Sequence, residues 1–190
     1  MGRKRYLAVI FVVALFSIWT GFKNRVNKEA GMELDNYNGV KIYFNGFPNK
    51  NFGRNLSSDR YNIGIKYQCV EFVKRYYLEH LNHKMPDTYG HAKDFFDKEL
   101  KDGEFNKKRG LIQYSNPSMI KPQVDDIIIF KAAFYNPYGH IAIISKVSDS
   151  EIEIVQQNVW KKTREKFPLN YSEGRWKIVS DRIAGRLSIE

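Results

Sequence analysis

VDDIIIFKAAFYNPYGHIAIISKVSDSEIEIVQQNV, residues Val124 to Val159, decides the fold. VDDIIIF is a short apolar run rich in β-branched residues and bounded by turn residues, so it reads as a buried strand. KAAFYNPYG reads as a loop, and HIAIISKV from His140 reads as a second strand. After Ser148, Asp149 and Ser150, EIEIVQQNV alternates apolar and polar side chains as a third. Two such runs across so short a polar connection are a hairpin signal. A last strand is expected in RIAGRLSI near the C-terminus. The C-terminal half therefore reads as an antiparallel sheet.

Upstream, the firm element is a helix. In KYQCVEFVKRYYLEH, positions 69, 72, 73, 76, 77 and 80 carry Cys, Phe, Val, Tyr, Tyr and His, the spacing of one buried helical face. A second helix is expected from His91 to Leu100, with Phe95, Phe96 and Leu100 on one side. Helices first and sheet second define an α+β class, with N-terminal helices packed on the antiparallel sheet. Between Asn24 and about Tyr61 the chain is polar and asparagine-rich. There GVKIYFNG alternates like a strand or hairpin arm, and FPNKNFGRNLSSD reads as loop.

Composition bounds the rest. Arg3, Lys4 and Arg5 precede the uncharged run Tyr6 to Phe22, 17 residues long and at the lower limit for a membrane-spanning helix. No A-x-A-like cleavage site follows, so one N-terminal transmembrane helix, retained as a signal anchor, is expected rather than a cleaved signal. The basic start favours an extracytoplasmic domain, in the periplasm or at the cell surface, tethered to the membrane through residues 6–22. Lys23, Arg25 and Lys28 after the run blunt the charge asymmetry that would fix the orientation. The expected organisation is residues 1–28 as anchor, 29–61 as an irregular lead and 62–190 as the main domain. Of the formal net charge of +10, residues 1–28 hold six Lys/Arg and no acid, so the remainder carries +4. That is no nucleic-acid footprint.

Chemistry centres on Cys69, the single cysteine. One thiol rules out an intramolecular disulfide framework and any multi-cysteine zinc site, leaving packing, an intermolecular bond or catalysis. Free cysteine is commonly a small buried hydrophobe. At a helix N-terminus, however, unpaired N–H groups and the helix dipole favour the thiolate. A thiol nucleophile needs a base and a group that orients the base. His140 starts a strand. If Ser148, Asp149 and Ser150 form a three-residue loop, His140 lies opposite Asn158 and diagonal to Gln156, and either amide reaches one imidazole nitrogen. His80, His83 and His91 read as structural histidines.

KYQCVEFVKRYY, YGHIAIISKV and IEIVQQNV together resemble the signature blocks of the cysteine, histidine-dependent amidohydrolase/peptidase (CHAP) family. The wording is most similar to the amidase domain of glutathionylspermidine synthetase/amidase. The resemblance runs from about Tyr37 to the C-terminus. It implies a papain-like arrangement and hydrolysis of an amide bond without cofactor or metal. By position, Cys69 matches the family nucleophile and His140 its general base. Gln156 stands where the family usually has glutamate, with Asn158 as the fallback orienter. The substrate implied is an amide in peptidoglycan; the alternatives are a glutathionylspermidine-like amide and a catalytically silent module binding wall or partner.

Overall fold

The computed structural model describes residues 2–47 and 50–189, with side chains from residue 10 onward. In chain order its elements are α1 (Gly2–Lys28), β1 (Glu33–Tyr37), β2 (Val40–Tyr43), β3 (Arg54–Leu56), β4 (Asn62–Ile65) and α2 (Cys69–Glu79). After a 3-10 turn at Ala92–Phe95 come β5 (Glu104–Asn106), β6 (Leu111–Ser115), β7 (Ile127–Phe130), β8 (His140–Val147) and β9 (Glu151–Val155). The chain ends with β10 (Arg164–Ser172), β11 (Arg175–Ile178) and β12 (Ile183–Ser188). Strands β5 to β12 form one eight-stranded sheet in the order β11-β10-β9-β8-β7-β12-β6-β5, every neighbouring pair antiparallel. Two small hairpins, β1–β2 and β3–β4, flank it.

The central strands are apolar on both faces because both faces are covered. One face, with Ile127, Ile129, Ile141, Ile143, Val155 and Leu187, packs against Phe72, Val73, Tyr76 and Tyr77 of α2. The other, with Ile128, Ala142, Ile144, Ile152 and Ile154, meets Leu169, Ile178 and Ile183. The second core exists because the sheet curls. Ser118, just past β6, pairs through both backbone hydrogen bonds with Trp176 of β11, at the far edge of the sheet.

The expectation of several N-terminal helices packed on a sheet, preceded by a transmembrane helix, is corrected. The fold is sheet-rich, and α2 alone among the described α-helices supplies a face of the sheet core. The helix expected over 91–100 is only the single 3-10 turn. There the Gln113 side chain takes over the Asp97 backbone, accepting from its N–H and donating to its carbonyl, which removes the bonds a helix would need. At the N-terminus α1 forms, but among the described residues no helix is long and apolar enough to cross a membrane. The uncharged run of 17 residues rises only ~26 Å as a helix, short of a hydrocarbon core of ~30 Å. Its basic start, Arg3, Lys4 and Arg5, lies outside the described side chains.

Candidate active site

The site sits where two strands part. Paired residues of β8 and β9 run from Val147–Ile152 to Ile143–Val155, with a register shift between Ile144 and Lys146. Asp149 and Ser150 form a two-residue turn, closed by the Ser148 N–H on the Glu151 carbonyl. A two-residue turn alone would move the pairing by one. The bulge at Ser145 restores, toward His140, the register that a three-residue loop would have given. Beyond Val155 the chain leaves β8, and the Gln156 N–H bonds to Thr163 instead.

The N-terminus of α2 enters that opening. Gln68 is its N-cap and has no side-chain cap of its own. Cys69 is the first helical residue, and the backbone N–H groups of Ile141, Val70 and Cys69 itself lie near enough to its sulfur to favour the thiolate. Gly64 lets the helix come close: it sits at φ 139°, and a Cβ there would lie 3.1 Å from the Glu71 Cα.

Three side chains then fasten the turn. Gln157 donates to the Gln68 carbonyl and to Glu71 Oε2, both at 3.0 Å, and its own Oε1 accepts the Tyr43 N–H at 2.7 Å. Asn158 donates to Gln68 Oε1 at 2.6 Å and accepts from Asn45 at 2.8 Å. Glu71, 2% exposed, also accepts from Arg75 Nε at 2.7 Å and Asn55 Nδ2 at 2.8 Å.

His140 is 9% exposed, and its Nε2 lies 3.0 Å from Gln156 Oε1. An amide oxygen only accepts, so the imidazole carries its proton on Nε2 and keeps Nδ1 free as an acceptor. Asn158 takes no part in that contact, since its two polar atoms are spent on Asn45 and Gln68. Cys69 lies against the backbone of Ile141, the residue after His140. Among the described residues no direct hydrogen bond joins Cys69 to His140; such contacts often tighten only with substrate bound. Gly139, at φ 72°, brings the 3-10 turn against the histidine strand: a Cβ would lie 2.6 Å from the Phe130 carbonyl and 3.1 Å from Lys93 Cβ. His80 caps the end of α2, His83 bonds to the Arg109 carbonyl, and His91 caps the 3-10 turn with Asp94.

Burial outweighs the helix N-terminus in setting protonation. It pushes the Cys69 thiol above its ordinary value despite the three N–H groups. It lowers His140 to about 4, with Arg182 acting in the same direction and Gln156 and Glu165 opposing. The resting pair is therefore neutral thiol and neutral imidazole, not the thiolate expected from the helix position alone.

A stability consequence follows. Above pH 6.5 His140 is neutral folded or unfolded and contributes nothing to pH dependence. Between pH 6.5 and about 4 the unfolded chain takes a proton that the folded site refuses, so stability falls by about 3 kcal/mol over that window. Urea unfolding from pH 7 to pH 4 checks this: His140→Gln should flatten that part of the acid limb, and equal losses in parent and variant would refute it.

Sequence reasoning missed Gln157, Glu71 and Glu165 as parts of this site. The signal for Gln157 was present, because the register that put Gln156 on the His140 face puts Gln157, with Val155, on the face of α2.

Comparison with known proteins adds the family context. The CHAP domain family model matches residues 59–158, a span containing Cys69, His140, Gln156 and Asn158. Over 134 residues the chain is 31% identical to trypanothione synthetase of Crithidia fasciculata, which covers 68% of this chain and 21% of that protein. Over 103 residues it is 29% identical to glutathionylspermidine synthase of the same organism, covering 50% of this chain and 14% of that protein. The chain thus spans about a fifth or less of the length of these curated relatives. The crystal structure of Ly7917 aligns with 65% of this chain and 54% of its own at 15% identity, with a TM-score of 0.38.

Proposed function

The chain belongs to the CHAP domain family, and from that membership we propose that it hydrolyses an amide bond with Cys69 as nucleophile, His140 as general base and Gln156 as the group that orients His140. The observation that carries this reading is the hydrogen bond from His140 Nε2 to the Gln156 oxygen, which leaves Nδ1 to take the thiol proton. Cys69 sulfur attacks the carbonyl carbon as its proton passes to Nδ1. Negative charge then develops on the carbonyl oxygen next to the first-turn N–H groups of α2, which stabilise it. The imidazolium returns its proton to the departing amine, and water, deprotonated by His140, releases the acyl group from sulfur. Because thiol and imidazole both start neutral in a desolvated site, proton transfer to Nδ1 accompanies the attack of sulfur rather than preceding it, and the negative charge develops on the oxyanion.

For the substrate we propose an amide of a peptidoglycan stem peptide. Two basic residues belong to the segments around His140: Lys93, whose backbone and Cβ lie against Gly139, and Arg182, over the Phe130 ring that neighbours the imidazole. They suit a peptide with free carboxylates better than a polycationic amide. This reading puts the domain outside the cytoplasm, at the wall. A second reading, hydrolysis of a glutathione–polyamine amide, is favoured by the 31% identity to trypanothione synthetase. Purified murein and glutathionylspermidine are each incubated with the protein and the products identified by mass. New stem-peptide termini with no spermidine release support the first reading. Spermidine release alone selects the second, and no cleavage of either by a folded protein refutes both.

A further inference from the structure

We propose that Glu165 is a positioning residue of this site, supplying through the Gln156 amide the carboxylate that this chain lacks at position 156 itself. The proposal rests on His140 acting as base and extends that reading by one residue. Glu165 lies on β10 opposite Ile154, and so on the same face of the sheet as Gln156, two residues further along β9. Its Oε2 accepts from Gln156 Nε2 at 3.5 Å, while Gln156 Oε1 faces His140 Nε2 at 3.0 Å. Gln156 is only 1% exposed, so water does not satisfy either end of the amide.

The two ends are not equivalent. A carboxylate only accepts, so Glu165 draws the NH2 group and turns the oxygen toward His140. The oxygen in turn demands a proton on Nε2 and leaves Nδ1 free for the thiol. With the amide reversed, its NH2 would donate to Nε2, the ring proton would move to Nδ1, and His140 could not accept from Cys69. Glu165 thereby selects the productive tautomer through the Gln156 amide, without touching His140.

Other charges also act here. Around His140 they are Arg182 before β12, Lys93 in the 3-10 turn and the Cys69 thiol on α2. Around Glu165 they are Lys162, whose Nζ is 2.7 Å from Oε1, and Glu153, Arg164 and Lys166, which line the same open depression. Lys162 holds the Glu165 carboxylate in place through that contact.

The test compares Glu165→Ala in the parent and in the Gln156→Glu background. The tautomer of His140 is read from its ring 15N shifts at pH 7, which needs no substrate and so separates failure of this proposal from failure of the proposed activity. In the parent, Glu165→Ala should convert His140 from the Nε2–H form to a mixture or to the Nδ1–H form. It should also lower kcat/KM about tenfold, mostly through kcat. In the Gln156→Glu background a carboxylate touches His140 directly, so Glu165→Ala should leave the tautomer unchanged and cause no loss of kcat/KM. An unchanged tautomer in the parent, or equal losses in both backgrounds, would overturn the proposal. So would a loss of kcat/KM confined to KM.

Discussion

Cys69→Ala should reduce hydrolysis by at least about a thousandfold while the domain stays folded, because no other side chain of the site can form the acyl intermediate. The stability change should be small. Cys69 loses one sulfur from a well-packed spot, 8% exposed beside Ile141. A loss of this kind costs about 1–2 kcal/mol. Cys69→Ser should be nearly as inactive, since a hydroxyl is a far weaker acid than a thiol and His140 is a weak base at a pKa of about 4. Urea unfolding and product formation measured on the same preparations separate the two effects. Residual activity within tenfold of the parent would rule out Cys69 as nucleophile, whatever the family membership implies.

The sheet strands around the site were legible because each carries a local signal. VDDIIIF, HIAIISKV, EIEIVQQNV and RIAGRLSI are rich in apolar or alternating residues, and all four contain strands, β7, β8, β9 and β12, although β9 ends at Val155 rather than running on through QQNV. The helix starting at Cys69 was legible from its stripe of Phe72, Val73, Tyr76 and Tyr77. The second helix was not, because what unmakes it comes from elsewhere in the chain: the Gln113 amide on the Asp97 backbone. REKFPLNYS and RWKI, which become β10 and β11, carry charges and a proline, and they are held in place by the curl of the sheet and the Ser118–Trp176 bridge. Glu165 sits on β10, so it could not be seen as part of the site before that strand was. The position of Gln156 relative to His140 came from a turn one residue too long. It survived because a bulge at Ser145, which no local pattern announces, compensates.

Glu71→Ala should be among the most destabilising single changes available, at about 3–5 kcal/mol. Its two carboxylate oxygens gather three donors from three parts of the chain: Asn55 of β3, Arg75 one turn along α2 and Gln157 beyond β9. Removing the carboxylate leaves the Arg75 guanidinium, 6% exposed and packed over the rings of Tyr43 and Phe72, without its counter-charge. An unpaired buried charge costs more than the lost ion pair contributed, so the arginine dominates the effect. For a chain of this size the melting temperature should drop by about 10 °C. Glu71→Met combined with Arg75→Met should recover much of that loss, because no buried charge is then left over. Activity should not recover in parallel. Gln157 would still lack one acceptor, and its grip on the Gln68 carbonyl, and so on the turn that aims Cys69, would be looser. A Glu71→Ala protein within about 1 kcal/mol of the parent would mean that Arg75 finds another partner. In that case the cluster would not fix the first turn of α2, and the position of Cys69 would depend on Asn158 and Gly64 alone.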